Sequence, residues 1–223
     1  VELPELGDGG LWLDPRGPRD FAFVSHAHSD HTGRHAESIL TDGTSRLMRA
    51  RLGAPVGVEH VLGWRERRAF SNFEMMLIPA GHVLGSAQCR IESAAGSLLY
   101  TGDFKLRAGL SSEVAEAVLA ETLIMETTFG LPHYVFPPAE GVIAGVVKFA
   151  QEALEEGDVP VLLGYSLGKA QEILSALATA GVPIMLHGAV WKMTRVYEGL
   201  GIAFPEYRKY EAGAVAGHAL ICP

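Results

Sequence analysis

Cysteine is nearly missing from this sequence: Cys89 and Cys222 are the only two in 223 residues. That excludes a disulfide framework and a thiolate zinc site, and it fits a reducing cytoplasm. No apolar run approaches the roughly eighteen residues that span a bilayer, so no membrane partner is expected and a cytoplasmic location is. The N-terminus, Val1-Glu2-Leu3-Pro4-Glu5, has neither the basic nor the apolar region of a secretion signal. Without a starting Met it reads as a processed or subcloned segment. Positive charge is also scarce, 18 Lys and Arg against 26 Asp and Glu, for a formal net charge of −8. A protein that coats nucleic acid through a basic surface carries the opposite sign. An enzyme that grips phosphate locally, with metals, helix N-termini and a few cations, is not excluded. There is no internal repeat and no low-complexity segment, and 48% hydrophobic with 20% charged residues is an ordinary globular balance.

The first half alternates short apolar runs with glycine-rich turns. Leu11–Leu13, Phe21–Val24, Glu74–Pro79, Ala87–Glu92, Ser97–Thr101 and Thr122–Glu126 read as strands, with Ala94-Ala95-Gly96 as a hairpin connection. Few long helical patterns occur there. After Pro137-Pro138 the character changes. Val142, Ile143, Val146, Val147, Ala150 and Leu154 keep a helical period that Gly157 would end. Val159–Leu163 reads as a strand, Leu167–Leu177 as a helix, Val182–Leu186 as a strand, Val190–Tyr197 as a helix and Ala219–Cys222 as a strand. This alternation predicts βαβ units and a parallel sheet. The chain stops at Pro223, directly after a run that should be a central strand, so either a fragment or an unusual completion of the sheet is expected.

One stretch carries most of the chemistry. Ser25-His26-Ala27-His28-Ser29-Asp30-His31 follows the apolar run Phe21–Val24 and packs three imidazoles and a carboxylate into six positions. His26 and His28, two apart, can face one ion, while Asp30 and His31 can reach a second. Gly81-His82-Val83-Leu84-Gly85-Ser86 and Tyr100-Thr101-Gly102-Asp103 place an imidazole and a carboxylate at two further strand ends. Ligands at successive strand ends can converge on one edge of a sheet, and His with carboxylate suits zinc, with manganese or iron also tolerated. Taken singly, His82 also fits a hydrogen-bonded core histidine and Asp103 a turn carboxylate.

The order Asp14, His-x-His-x-Asp-His, His82, Asp103 resembles the metallo-β-lactamase superfamily. Glu126-Thr-Thr-Phe-Gly, Leu167-Gly-Lys-Ala-Gln-Glu and His187-Gly narrow the resemblance to its β-CASP branch, which includes the nuclease subunit of the polyadenylation specificity factor and Artemis-type DNA nucleases. The phrases around His82, Asp103 and Glu126 resemble a bacterial exonuclease group called ligase-associated. The resemblance runs from about Leu11 to Cys222. It implies an α/β (α+β) fold: an αββα sandwich over residues 1–130, incomplete at the C-terminus, and a βαβ parallel-sheet cap over residues 131–223, truncated.

Carried over by position, the resemblance implies that His26, His28 and His82 bind a first metal and Asp30 and His31 a second, with Asp103 bridging. Asp14 would orient a histidine from behind. Glu126 matches the first β-CASP acidic position and His187 the second motif, a histidine at the scissile phosphate. Two zinc ions, or manganese, would activate a water against a phosphodiester. Asp30, Glu126 and His187 are thus the implied catalytic residues, and DNA or RNA is the implied substrate, with exonucleolytic attack favoured. A DNA ligase or helicase partner follows from the same resemblance. The family's third motif, Ser-x-His-Ala-Asp, is absent, which implies incomplete occupancy of the second site. His218, in Gly-His-Ala-Leu, aligns with a strand before that motif and is not taken as a ligand.

Gly164-Tyr165-Ser166-Leu167-Gly168-Lys169 runs from strand to helix. Read with Ser166 as the N-cap, it offers Ser166, Gly168 and Lys169 to a phosphate, although its glycine spacing is not that of a P-loop; a plain capped helix start is the other reading. His35, His60 and His133 read as surface or loop residues, Arg65–Arg68 as a solvated charge run, Cys89 as a core residue, and Trp12, Trp64 and Trp191 as packing. Two other functions share the histidine cluster: a small-molecule hydrolase of the thioesterase, lactonase or β-lactamase type, and a non-catalytic metal-binding fragment.

Overall fold

The computed structural model describes residues 1–223. Its elements in chain order are β1 (Glu2–Leu3), β2 (Leu11–Leu13), β3 (Phe21–Phe23), β4 (Glu37–Leu40), α1 (Asp42–Leu52), β5 (Val58–Val61), β6 (Arg67–Ala69), β7 (Phe73–Pro79), β8 (Ala87–Ser93), β9 (Gly96–Tyr100), β10 (Thr122–Ile124), α2 (Ala139–Glu155), β11 (Val161–Leu163), α3 (Lys169–Ala176), β12 (Ile184–Leu186), α4 (Gly188–Gly199), β13 (Arg208–Lys209) and β14 (Ala219–Cys222). They form two units, Val1–Glu126 and Thr127–Pro223.

Period-two burial builds the first unit. Along β7, Phe73, Met75 and Leu77 point inward while Glu74 and Met76 are half-buried, the alternation a sheet with one packed face requires. Leu11, Leu13, Phe23 and Ile39 from one sheet meet Met75, Leu77, Cys89 and Ile91 from the other in one core. Each large side chain fully removed from water there contributes about 1.5–3 kcal/mol. The first sheet has the order β1-β2-β3-β4-β5, with β2 to β5 mutually parallel; the second has the order β10-β9-β8-β7-β6. Since β7, β8 and β9 alternate in direction, β7 and β9 run the same way. The loops after them therefore leave from one end of the sheet, as do those after β2 and β3 from theirs.

The hydrophobic pattern does not predict α1, nor the short strands β1, β4, β5, β6 and β13. Leu47 is the only large apolar side chain that α1 buries, beside Gly43, Thr44 and Ser45. Its ends are well specified all the same. Thr41 caps it by accepting from Thr44 N–H at 3.1 Å, Asp42 opens it, and Arg49 and Arg51 lie in its last turn. The charge run at 65–68 is partly ordered: Arg67 and Arg68 belong to β6, an edge strand.

The second unit is the parallel sheet the alternation predicts, in the order β11-β14-β12-β13. Ala150, Leu174, Leu177 and Val190 cover Leu162, Ile184, Leu186 and Ile221 in a core of its own. No helix in either unit is long and apolar enough to cross a membrane.

Candidate metal centre

Strand direction gathers the candidate ligands. Asp14 follows β2, and Ser25 and His26 come just after β3; His82 stands in the loop between β7 and β8, and Asp103 follows β9. Ala87 N–H donates to Ser25 C=O at 2.9 Å, which joins the two sheets at this end. His26 is fully buried, His28, His31, His82 and Asp103 are half-buried, and the Asp30 carboxylate is 63% exposed.

His26 Nε2 lies 3.0 Å from His28 Nδ1, and His82 Nε2 lies 3.2 Å from that same nitrogen. The three rings meet edge-on, at 84°, 85° and 77°. One His28 proton can serve only one of these contacts, whereas a cation serves all three lone pairs. A tetrahedral ion with Zn–N bonds of about 2.0–2.1 Å sets neighbouring nitrogens about 3.3 Å apart, close to the spacing found. Asp103 turns one oxygen to each side: Oδ2 lies 3.8 Å from His26 Nε2 and 3.7 Å from His82 Nε2, and Oδ1 lies 3.5 Å from His31 Nε2. Asp30 Oδ2 is 3.6 Å from that His31 nitrogen. Two groups have all their ligand atoms within 4.8 Å: His26, His28 and His82, and His26, His31 and Asp103. The donor set fits a metal.

Asp14 decides which nitrogens face inward. Its side chain is 3% exposed and its φ is +44°, a left-handed conformation that Asp tolerates better than most residues. Oδ1 accepts from Ser25 N–H at 2.7 Å. Oδ2 accepts from the Ser25 hydroxyl at 2.6 Å, His31 Nδ1 at 2.9 Å and the Tyr100 hydroxyl at 3.0 Å. With its proton committed to Asp14, the Ser25 oxygen accepts from His26 Nδ1 at 2.9 Å. Both His26 and His31 thereby keep Nδ1 protonated and Nε2 free to bind. Ser25 and Tyr100 were not singled out in the sequence; a hydroxyl directly before the histidine run was the available signal for Ser25. Glu126 Oε1 accepts from Phe104 N–H at 3.2 Å and so steadies the residue after Asp103.

Burial, and then the neighbouring imidazoles, hold His26 well below its ordinary pKa and lower His82 to about 4. Burial also pulls His31 down, but the hydrogen bond and charge of Asp14, with Asp103 and Asp30, raise it overall. In chelator-treated protein the unfolded chain takes up protons at His26 and His82 that the folded chain refuses, so stability falls as pH drops below about 6.5. Asp103, raised by burial against the pull of His31, partly offsets this at the acid end. The His31 contribution is complete below about 6.5 and is lost as pH rises through its higher folded value. Thermal unfolding of the chelated protein across this range should peak near neutrality. A midpoint that climbs steadily toward acid would contradict neutral, buried His26 and His82.

The remaining sequence-selected residues lie in the second unit. His187 follows β12 and Gly164 follows β11, so His187 and the Gly164–Lys169 segment share the C-terminal edge of the parallel sheet. Exposed His187 caps α4, its Nδ1 accepting from Ala189 N–H at 3.3 Å. Ser166 is not the N-cap of α3. Gly168 is, at φ +91°, where a side chain would be strained. Its N–H donates to Gln171 Oε1 at 2.8 Å, and Gln171 Nε2 reaches Ser166 C=O at 3.2 Å. Gln171 thus takes the Gly168 donor that an anion would need, leaving Lys169, which is exposed, as the charged group of that segment.

His35 lies in the loop before β4 but is not on the surface: it is 3% exposed and accepts from Arg19 N–H at 3.2 Å. His60 lies in β5 and pairs with Glu37 at 2.7 Å; His133 is exposed, its ring tilted 41° against that of Tyr134. His218 bonds Ala216 C=O.

No protein-family model matches the chain. Over 99% of its length it is 52% identical to a protein of Opitutus terrae named "Probable DNA ligase", and covers 22% of that protein. It is 27% identical to an "RNase J-like protein" of Methanocaldococcus jannaschii, over 88% of this chain and 52% of the relative. It is 30% identical to "Transcription termination factor FttA" of Pyrococcus abyssi, over 86% of this chain and 35% of the relative. The chain thus spans about half or less of these curated relatives. A crystal structure of a protein of unknown function from Enterococcus faecalis shares the fold, with a TM-score of 0.63 and 14% identity over 91% of this chain and 58% of that one.

Proposed function

We propose, from the premise that this chain belongs to the β-CASP branch of the metallo-β-lactamase superfamily, that it carries the metal-binding residues of a nuclease hydrolysing phosphodiester bonds of DNA or RNA. The observation that carries the reading is the split carboxylate of Asp103, one oxygen toward His26 and His82 and the other toward His31. That arrangement suits two ions sharing a bridge. Three nuclease-named relatives, the RNase J-like protein, "Probable RNase MJ4" and "RNase aCSPSF2", support phosphodiesters as the substrate class. Exonucleolytic action is what the motif resemblance implies. The two-sheet unit would be the metallo-β-lactamase core and the parallel-sheet unit the β-CASP part.

His26, His28 and His82 would hold one zinc or manganese ion, and His31 and Asp30 the other, with Asp103 common to both. Bound there, the metals supply Lewis acidity toward the phosphoryl oxygens and lower the pKa of a water. The chain's own residues do the rest. Asp14 and Ser25 keep the imidazoles in the ligating tautomer. Asp30, with its exposed carboxylate, accepts the proton of the attacking water. By the family motif His187 would donate a hydrogen bond to the phosphate or a proton to the leaving oxygen; with Nδ1 accepting from Ala189 N–H, the neutral ring carries its N–H on Nε2, the donor that the hydrogen bond needs. A DNA ligase or helicase is proposed as working partner, on the motif resemblance and on the 52%-identical region inside a ligase-named protein.

The test is incubation of the zinc- or manganese-loaded protein with end-labelled DNA and RNA oligonucleotides, a thioester and a lactone, each with and without chelator. Chelator-sensitive shortening of an oligonucleotide is the expected result. Intact oligonucleotides beside a cleaved thioester or lactone would reassign the site to small-molecule hydrolysis.

A further inference from the structure

α1 touches both loops that carry the ligands of the first ion, one at each of its ends. At its start, the Thr41 and Thr44 hydroxyls donate to Gly85 C=O at 2.6 and 3.0 Å. On the other side of Gly85, Glu113 Oε2 accepts its N–H at 2.9 Å. Gly85 cannot shift within its loop, because that loop is closed by Ala80 N–H to Ser86 C=O at 2.9 Å and Ser86 N–H to Val83 C=O at 2.9 Å. The Ser86 hydroxyl oxygen accepts from His82 N–H at 3.0 Å as well, so the position of Gly85 is passed to His82. The approach is close enough to demand glycine on both partners: a Cβ on Gly43 would lie 2.8 Å from Gly85 Cα, and one on Gly85 would lie 2.7 Å from Thr44 N, with Gly85 at φ +77°. At the other end, Arg51 Nη1 in the last turn of α1 donates to the carbonyl of Ala27, the residue between His26 and His28.

We propose that α1 is a brace that sets the separation of His26 and His28 from His82, with Arg51 and Thr44 as its positioning residues. A helix suits this task, since its length is fixed by the 1.5 Å rise per residue and its two ends can hold two loops at one distance. The small residues that hide α1 from the hydrophobic pattern are then the ones its contact with Gly85 requires. Neither Arg51 nor Thr44 touches metal or substrate in this reading; Arg51 acts through the carbonyl of Ala27, between His26 and His28, and Thr44 through that of Gly85, in the loop that carries His82. The inference rests on the metal-centre reading above.

Zinc and cobalt titrations of the metal-free full chain test it, comparing wild type with Arg51→Ala, Arg51→Lys, Thr44→Val and the control Arg46→Ala. Arg46 pairs with Asp42 on the solvent face of α1 and contacts neither loop. Arg51→Ala and Thr44→Val are expected to weaken the tighter ion about 10-fold or more, as loss of outer-sphere support does, and to alter the visible cobalt spectrum. Arg51→Lys should recover part of the affinity, and Arg46→Ala should match wild type. Thermal unfolding of each metal-free variant separates a folding defect from a positioning defect, and Thr44→Val, nearly isosteric, decides the matter if Arg51→Ala fails to fold. Wild-type affinity and spectrum in Arg51→Ala and Thr44→Val overturn the brace while leaving the metal centre intact. Absence of any metal binding by wild type instead overturns the metal-centre reading itself.

Discussion

Asp103→Asn should leave at most one ion bound and slow oligonucleotide hydrolysis by about three orders of magnitude, roughly 4 kcal/mol of lost transition-state stabilisation. The amide keeps the shape of the carboxylate but loses its charge and offers only one oxygen, while the structure asks for an oxygen on each side. The side with fewer other ligands, His31 and the exposed Asp30, is the one expected to lose its ion. Metal content by elemental analysis and turnover on a labelled oligonucleotide are the two measurements. Two ions retained with near-normal turnover would show that Asp103 is not shared.

Asp14→Asn should weaken both ions by about 10–100-fold and cost about 2–4 kcal/mol of stability. Four donors converge on Asp14: Ser25 N–H, the Ser25 hydroxyl, His31 Nδ1 and the Tyr100 hydroxyl. An asparagine turns an N–H₂ toward either one or three of them, at a side chain only 3% exposed. The effect should reach both ions, because Asp14 orients His31 directly and His26 through Ser25. Ser25→Ala separates the two routes: it should weaken the His26 side and largely spare the His31 side. Equal weakening of both ions by Ser25→Ala would break the proposed division. Metal titration monitored by calorimetry, with unfolding midpoints for the chelated proteins, reads both effects.

Short apolar runs bounded by turn residues made β2, β3, β7, β8 and β9 legible, because a strand with a buried face needs few residues and ends at a turn. Helical period did the same for α2 and α4. It failed for α1, which buries Gly43, Thr44 and Ser45 beside the single large apolar residue Leu47, a set suited to close approach and hydrogen bonding rather than a hydrophobic stripe. It failed again at Ser166, a residue with good N-cap chemistry, because Gly168 and Gln171 form a cap that depends on a left-handed glycine. His35 sits in a loop, in keeping with its local sequence, yet is buried, and nothing in the local pattern marks that burial.

The sequence by itself determined the candidate ligand types and their order, since strand, turn and histidine run are local features with local signatures. It also determined the parallel character of the second unit, through the alternation of strand and helix. Only the tertiary structure decided which nitrogens face one another, that Asp103 divides its two oxygens, and that Asp14, Ser25 and Tyr100 meet behind the histidines. Those contacts join residues up to 86 positions apart. They exist because β2 and β3, and likewise β7 and β9, point the same way, a relation fixed by sheet pairing over one shared core and by nothing within any single strand.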